Sequence, residues 1–241
     1  MKKLVEIKDL RIENQLGKII DNISFSIYEG VNVFLCGTPG SGKTTLLKAI
    51  AGMRKYKGHI TKTVPVEVVL DSYDFTKKTI LEELEYVRLN EKDKKIVNKF
   101  FTKSVLKKNI LDVEESILKM VLLCKAFLRR PLVLLADNLL SYLDKKTVEK
   151  VLNYTKKNKI TLVTVSTAIE EALFYDYMIV LDKGRVAIEG KTLQVLEQEK
   201  ILKRLGIGLP FYVDLSLQLR LYGLVDGIYL NKEDLVGAIW K

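Results

Sequence analysis

The sequence predicts an α/β fold built on a largely parallel sheet. Short apolar runs rich in β-branched residues alternate with segments that have the apolar spacing of helices, which is typical of parallel strands joined by helical crossovers. The runs are mostly apolar at every position, as expected for strands covered on both faces. With 241 residues, 48% of them hydrophobic, the chain is long enough for one large domain or one domain with an appendage.

Each element follows from its local pattern. Buried strands are predicted at residues 31–36, 66–70, 132–136, 162–165 and 178–181. Helices are predicted between them, at residues 44–51, 79–89, 115–128, 145–156 and 169–174. Residues 90–109 are lysine-rich and helical without a strand signal, which indicates a helical insert. A hairpin is predicted to turn at Asp182-Lys183-Gly184 and to return over residues 185–189, and only helices are predicted after Gly190.

Composition narrows the class of protein. No apolar run approaches the roughly 18 residues of a membrane span, and charged residues near the N-terminus precede any signal-type apolar run, so we expect no export. Cys36 and Cys124 lie in apolar runs, which favours a reduced, cytosolic setting, and the single His59 leaves little for a zinc site. The net charge of +10 permits several anionic ligands, but no strip interleaves lysines with aromatic residues as a nucleic-acid groove would.

One motif carries specific chemistry. Residues 37–45 read Gly37-Thr38-Pro39-Gly40-Ser41-Gly42-Lys43-Thr44-Thr45, which matches the phosphate-loop pattern G-x-x-x-x-G-K-[ST] in full, between a predicted strand and a predicted helix. In such a loop, backbone N–H groups and the helix N-terminus hold phosphate oxygens. The ammonium of Lys43 reaches the β- and γ-phosphates, and the Thr44 hydroxyl ligates Mg²⁺. The motif therefore predicts binding of a nucleotide with Mg²⁺.

A second Mg²⁺ ligand is predicted at Asp137. The apolar run Leu132-Val133-Leu134-Leu135-Ala136 delivers this single carboxylate at its carboxyl end. Phosphate-loop ATPases use an aspartate in that place to hold the metal.

Together these motifs resemble the ATP-binding subunit of an ABC transporter, over nearly the whole chain. The matching segments are residues 22–27 with Glu29-Gly30, 46–52, 131–144, 180–185 and Glu189-Gly190. The tail resembles the C-terminal extension of the energy-coupling factor type, which imports vitamins and metal ions, at Leu205-Gly206-Ile207, Pro210, Leu219-Arg220, Gly223-Leu224 and residues 231–239. The resemblance implies a nucleotide-binding domain at 1–204, with a helical insert at about 76–130, and a C-terminal helical extension at 205–241 that serves as a dimerisation element.

Two catalytic positions depart from the family pattern. Where the family places a glutamate that polarises the attacking water, this chain has Asn138. An amide can orient a water molecule but cannot accept its proton. Where the family places the switch histidine, the chain has Thr167.

Three further positions depart as well. The glutamine that approaches the γ-phosphate corresponds to Asp71, which adds a negative charge where the γ-phosphate and Mg²⁺ would approach. The aromatic residue that stacks on adenine corresponds to Asn14. The family signature Leu-Ser-Gly-Gly-Gln corresponds to Val113-Glu114-Glu115-Ser116-Ile117, where two carboxylates would repel the partner's nucleotide. These departures beside an intact phosphate loop predict nucleotide binding without the usual hydrolytic machinery.

The resemblance implies a set of partners. We expect an ATP-binding subunit that pairs with a second ABC ATP-binding subunit in a heterodimer. A transmembrane coupling subunit and a substrate-binding membrane subunit would hold the pair at the cytoplasmic face of the membrane. We expect ATP and Mg²⁺ as cofactors and no nucleic-acid partner.

Three alternatives remain open at this point. The first is a fully active ABC ATPase, working as a homodimer, in which other groups replace the missing ones. The second is a non-transport ABC regulator, although such proteins usually carry two cassettes in one chain. The third is another phosphate-loop enzyme, such as a small-molecule kinase, although the hairpin and tail features argue against it.

The tail permits two secondary structures. Residues 213–221 alternate apolar and polar positions as a half-buried strand would. Leucine content, Pro210 before the segment and Gly223 after it favour a helix. As a helix it carries two apolar stripes, Phe211-Leu215-Leu219-Tyr222 and Val213-Leu217-Leu221. We therefore predict a helix with one stripe on the core and the other on a second subunit, followed by a final helix capped by Asn231.

Overall fold

The computed structural model describes residues 1–15 and 17–240. Within these ranges, nine strands form two sheets. The strands are β1 (Lys3–Asn14), β2 (Gly17–Tyr28), β3 (Val33–Gly37), β4 (Lys57–Lys62), β5 (Val66–Val69), β6 (Val133–Asp137), β7 (Thr161–Val165), β8 (Tyr177–Asp182) and β9 (Arg185–Lys191). The helices are α1 (Lys43–Ala51), α2 (Ile80–Glu83), α3 (Glu91–Phe100), α4 (Lys103–Leu106), α5 (Glu115–Leu128), α6 (Lys145–Lys157), α7 (Thr192–Leu196), α8 (Glu199–Arg204), α9 (Phe211–Leu221) and α10 (Lys232–Ile239).

The larger sheet confirms the predicted α/β class. Its six strands lie in the order β5-β6-β7-β3-β8-β9. All neighbours are parallel except the β8–β9 hairpin. The carboxyl ends of the parallel strands therefore meet at one edge, where the phosphate loop leaves β3 and Asp137 ends β6.

Buried side chains cover both faces of this sheet. Phe34 and Leu134 point into one cluster, which includes much of α5. Leu35 and Leu135, one residue further along, point into the opposite cluster with β1, β2 and α1. This alternation explains the continuous apolar runs in the sequence, because each face of a central parallel strand is covered.

The second sheet was mostly not predicted. It is antiparallel, with the order β2-β1-β4, and the sequence indicated only residues 22–27 of it. In β1 the pairing with β2 shifts between Ile7 and Leu10, where Asp9 has a φ of 50°. Such a bulge breaks the period of two on which strand prediction depends.

Two predicted helices need correction. Residues 79–89 do not form one helix, because α2 ends at Glu83 and Glu85 has a φ of 49° before a short 3₁₀ helix, Tyr86–Arg88. Residues 169–174 form a 3₁₀ helix, not an α-helix. The short i→i+3 bond from Glu171 N to Ala168 O, 3.1 Å, is typical of such a connector.

The tail is helical, as predicted. Pro210 caps α9, whose Val213 and Leu217 are buried in the same cluster as α5. On its other side, Phe211 and Tyr222 are 65% and 79% exposed. Leu221, at the end of the stripe that carries Val213 and Leu217, is 77% exposed, so this stripe is covered only over its first part. One apolar surface is therefore covered by the chain itself, and a second one faces solvent.

The final helix has the predicted cap. The Asn231 side chain accepts a hydrogen bond from Asp234 N at 2.9 Å. Leu235 is buried, whereas Trp240, just after the helix, is 83% exposed. No helix among the described residues combines the length and apolarity needed to cross a membrane.

Candidate functional site

Two glycines fix the shape of the phosphate loop. Gly37 has a φ of 147°, and a Cβ there would lie 2.0 Å from the Leu181 carbonyl oxygen on β8. Gly42 has a φ of 97°, and its Cβ would lie 2.6 Å from Ile20 Cδ1 on β2. Neither position accepts a side chain, so the loop passes tightly between the two sheets.

The loop folds around the ammonium of Lys43. Its Nζ donates to the carbonyl oxygens of Gly37 and Thr38, both at 2.9 Å, and to Ser41 Oγ at 3.3 Å. Partial burial lowers the pKa of Lys43, and the nearby carboxylate of Asp137 opposes that shift. A phosphate group would offer this ammonium a charge-assisted hydrogen bond, which is stronger than a bond to a neutral carbonyl.

The rest of the loop is open to solvent or anchored to the sheet. Pro39 and Gly40 at its tip are exposed, and Thr45 is half-buried on α1. The Thr38 hydroxyl donates to Asp182 Oδ1 at 3.1 Å, which ties the loop to the end of β8.

Thr44 and Asp137 lie together, as the sequence predicted for a metal site. Thr44 Oγ1 donates to Asp137 Oδ2 at 2.7 Å. A hydroxyl and a carboxylate are hard oxygen donors of the kind that Mg²⁺ prefers. The pair therefore fits the ion, which would neutralise phosphate charge beside Lys43.

Asn138 sits at the edge of the sheet directly after Asp137. Its backbone has a φ of 52°, a conformation that asparagine adopts more readily than most residues. Its N–H donates to Val165 O at 2.7 Å, and its Oδ1 accepts from Ser141 Oγ at 2.7 Å. The side chain can hold a water molecule but has no group that takes up its proton.

The other predicted departures lie at exposed positions. Thr167 follows the end of β7, and no hydrogen bond from its side chain occurs within the described residues. Asn14 is the last residue of β1 and is exposed. Neither position presents an imidazole or an aromatic ring.

Lys119 was missed by the sequence analysis. It is fully buried on α5, and its Nζ donates to Asp71 Oδ1 at 2.5 Å and to the Asn138 carbonyl oxygen at 3.1 Å. The ammonium also lies 4.7 Å from the centre of the Tyr142 ring. A single lysine within the otherwise apolar stretch 117–124 was the available signal, because lysine is almost never fully buried unless it is paired.

Comparison with known proteins decides the family. The model of the ABC transporter family matches residues 20–141, which is just over half of the chain. This protein belongs to the ABC transporter family. The energy-coupling factor transporter ATP-binding protein EcfA1 of Geobacillus kaustophilus is 25% identical over 98% of this chain and 95% of its own length. EcfA1 of Bacillus subtilis is 24% identical over 92% of this chain and 90% of its own length.

Solved ABC structures show the same fold. CbiO1 of Clostridium perfringens, described as part of the ABC transporter complex cbiONQ, superposes with a TM-score of 0.72 at 17% identity, covering 87% of this chain and 97% of its own. A dimeric ATP-binding cassette in a post-hydrolysis state, bound to ADP and phosphate, superposes with a TM-score of 0.68 at 22% identity. That match covers 78% of this chain and 99% of the cassette.

At the position predicted for the ABC signature, two glutamates lie at the start of α5. Glu114 is the N-cap, is exposed and forms no side-chain cap hydrogen bond. Glu115 accepts a hydrogen bond from Tyr73 Oη at 3.0 Å, and its Oε1 lies 3.7 Å from Lys119 Nζ. One of the two predicted repulsive charges is therefore engaged within the chain, and the other is free to face outward.

Asp71, at the position predicted for the ABC glutamine, is also engaged. From the sequence, it was expected to add a negative charge beside the phosphates. In the structure Lys119 compensates this charge, and Asn138 Nδ2 lies 3.4 Å from the second carboxylate oxygen. Asp71 is thus part of a paired network rather than an isolated anion.

Proposed function

We propose that this chain is the ATP-binding subunit of an ABC importer of the energy-coupling factor type, which binds Mg-ATP but hydrolyses it poorly. The observation that carries the proposal is the contact between Thr44 and Asp137, intact beside an amide at Asn138. The residues expected to bind phosphate and Mg²⁺ are present, whereas the glutamate that would accept a proton from the attacking water is replaced by an amide.

The relatives support the subtype. The EcfA1 proteins of Geobacillus kaustophilus and Bacillus subtilis, which match most of this chain, are named as energy-coupling factor transporter ATP-binding proteins. The tail motifs Leu205-Gly206-Ile207 and Gly223-Leu224 point to the same subtype. We take residues 1–204 as the nucleotide-binding domain, with its helical insert at about 76–130, and 205–241 as the C-terminal extension.

Mg-ATP would be held by this chain's own residues. Lys43 would move from its loop carbonyls to the β- and γ-phosphates, and the N–H groups of the loop around Gly40 and Ser41 would hold phosphate oxygens. Thr44 and Asp137 would hold Mg²⁺, which neutralises phosphate charge when bound.

We expect poor hydrolysis because of the side chains that would lie near the γ-phosphate. Asn138 orients water without taking a proton, and Thr167 cannot supply an imidazole. The nearby Asp71 carboxylate is already paired with Lys119. No carboxylate is thus left at the position of the family's catalytic glutamate.

We propose a second ATP-binding subunit as the partner. In ABC dimers each signature faces the partner's phosphate loop, so Glu114 would face the partner's nucleotide and weaken that site. A heterodimer lets the partner supply an intact signature for the ATP bound here. The exposed surface of α9 and the tail, with Phe211, Leu221 and Tyr222, would hold the two subunits together.

The pair would act at the membrane. A transmembrane coupling subunit and a substrate-binding membrane subunit would hold it peripherally at the cytoplasmic face, and closure of the ATP-bound dimer would be passed to them. Nucleic acid has no role in this proposal.

The test measures binding and turnover of the purified chain separately. Calorimetry should show Mg-ATP binding, and phosphate release should stay barely above background. Adding the second ATP-binding subunit of the same organism should restore turnover. Rates of about 1 s⁻¹ or faster from the isolated chain would instead indicate a fully active ATPase, and absence of nucleotide binding would overturn the whole proposal.

A further inference from the structure

Lys119 is the feature of this molecule that its proposed function does not use. Its side chain is 0% exposed, whereas the Asp71 and Glu115 side chains beside it are 31% and 45% exposed. A buried ammonium is costly unless it is paired and hydrogen-bonded. Asp71 pairs with it, the Asn138 carbonyl accepts from it, and the Tyr142 ring covers it.

The Lys119 ammonium connects α5 with the ends of two neighbouring strands. Lys119 comes from α5, whose first turn carries Glu115 at the signature position. Asp71 follows β5, and Asn138 follows β6, the neighbouring strand of the sheet. The lysine therefore joins the helix that begins at the signature to the strand ends beside Asp137.

The Lys119–Asp71 pair is neutral only while both side chains are present, and Glu115 adds a second carboxylate 3.7 Å from the ammonium. Asn138 directly follows the predicted metal ligand Asp137, and its Nδ2 lies 3.4 Å from Asp71 Oδ2. If Mg-ATP binds as proposed, these side chains would be near the γ-phosphate. An unpaired carboxylate there would repel the γ-phosphate, and an unpaired ammonium would attract it. ADP lacks that group and would respond less to either change.

We propose that Lys119 is a positioning residue that neutralises Asp71 and thereby sets how strongly the site prefers ATP over ADP. The inference rests on the proposed binding of Mg-ATP. It assigns to Lys119 a role that the phosphate loop does not supply, namely recognition of the charge of the terminal phosphate through Asp71.

The test compares three variants of the full chain. Calorimetry gives the Kd of Mg-ATP and of Mg-ADP for wild type, Lys119→Met, Asp71→Asn and the double variant. Lys119→Met should lower the preference for ATP by about fivefold or more, because Asp71 is left unpaired. Asp71→Asn should raise that preference, because it removes one negative charge while Lys119 keeps its positive charge and its ion pair with Glu115. The double variant should return to within about twofold of wild type.

Opposite changes in the preference for ATP over ADP in the two single variants would distinguish a positioning role of Lys119 from a structural role. A general loss of folding would weaken ATP and ADP binding together and would not reverse between the two single variants. Lys125→Met is the matched control, because Lys125 lies on the same helix and pairs with a different carboxylate, that of Glu83, at 2.5 Å. It should leave the ATP preference unchanged while it affects the melting temperature.

The outcomes distinguish failure of the proposed function from failure of the proposed role of Lys119. If wild type binds neither nucleotide, the proposed function fails. If the wild type binds ATP, but Asp71→Asn and the double variant have the same preference for ATP over ADP as the wild type, the role of Lys119 is structural. This inference is then overturned. The Asp71→Asn measurement decides the matter even where Lys119→Met is too unstable to titrate.

Discussion

Thr44 Oγ1 lies 2.7 Å from Asp137 Oδ2, although 93 residues separate them in the sequence. The two residues belong to α1 and β6, and β7 lies between β6 and the strand that leads into α1. The pair that we propose to hold Mg²⁺ therefore forms only when three strands have assembled in the correct order. This contact explains why a short motif near residue 40 depends on a carboxylate at residue 137.

Replacing Lys43 should remove most of the affinity for Mg-ATP. Lys43→Ala should weaken binding by roughly tenfold or more, since a charge-assisted phosphate contact contributes about 1.5–3 kcal/mol. Isothermal titration calorimetry measures the effect, with the exposed Lys55→Ala as control for loss of general positive charge. Equal affinity in wild type and Lys43→Ala would refute the assignment of the loop.

Restoring a carboxylate at position 138 should not restore turnover. Asn138→Glu places a glutamate at a φ of 52°, which costs about 1 kcal/mol or more, and it adds a negative charge near Asp71. Thr167 and the signature would still be deficient. Phosphate release should stay near background and the melting temperature should fall, with Asn138→Gln as control for the backbone cost alone. Turnover at ordinary enzyme rates would show that one missing carboxylate was the whole defect.

Changing the signature glutamates should strengthen association with the partner. Glu114→Ser with Glu115→Gly removes both negative charges from the surface that would face the partner's nucleotide. Because Glu115 is held by Tyr73, most of the effect should come from Glu114, and Glu114→Ser alone should reproduce it. Light scattering with and without ATP measures association, with the exposed Glu149→Gln on α6 as control. Unchanged or weaker association would mean that this loop does not face a phosphate.

The exposed side of the tail should hold the partner. Leu221→Ser with Tyr222→Ser should abolish ATP-independent association, because both side chains are more than three-quarters exposed, while stability changes by no more than about 0.5 kcal/mol. Co-elution with the partner measures the effect, and Leu193→Ser, an exposed leucine on α7, is the control. Truncation after residue 204 is a poorer test, because it strips buried Val213 from the core. Undiminished co-elution of the double variant would exclude this surface.

Glu171 predicts a pH dependence of stability. It is 7% exposed, and burial raises its pKa, although the Ser141 and Ser166 hydroxyls oppose the rise. A glutamate whose pKa is raised on folding favours the folded state only when protonated. The free energy of unfolding should therefore fall as the pH rises from the ordinary glutamate value, about 4.3, through the raised value.

Glu171→Gln tests this expectation. Its carboxylate oxygens have no well-aligned partner among the described residues, and such a buried unsatisfied group costs about 1–3 kcal/mol. The variant should melt at a higher temperature than wild type at pH 7, and the difference should shrink towards pH 4.5. Glu149→Gln should show no such trend. A difference that is constant with pH would mean that Glu171 does not titrate in this range.

The sequence predicted the elements whose pattern is local. The phosphate loop, the strand that ends at Asp137 and the bounds of α5 each depend on a few neighbouring residues, and each is confirmed. The antiparallel sheet was missed because the bulge at Asp9 breaks its alternation. Its third strand, β4, is largely exposed and has no apolar face to recognise.

The charge network could not be predicted from local sequence patterns, for a different reason. Asp71, Lys119 and Asn138 come from three elements, and only the fold brings them together. Considered alone in the sequence, Asp71 indicates an added negative charge, and Lys119 is one of many lysines in a basic chain. Long-range pairing of this kind needs the register of β5 against β6, which a single sequence does not supply.

The position of β3 has a consequence for synthesis of the chain. This strand carries the phosphate loop, yet its two neighbours, β7 and β8, begin at Thr161 and Tyr177. On a ribosome the loop emerges long before either neighbour, and contacts so distant in sequence form slowly. Both strands that flank β3 are present only after about three-quarters of the chain has been made. A shorter nascent chain would therefore lack the complete site that we propose for nucleotide.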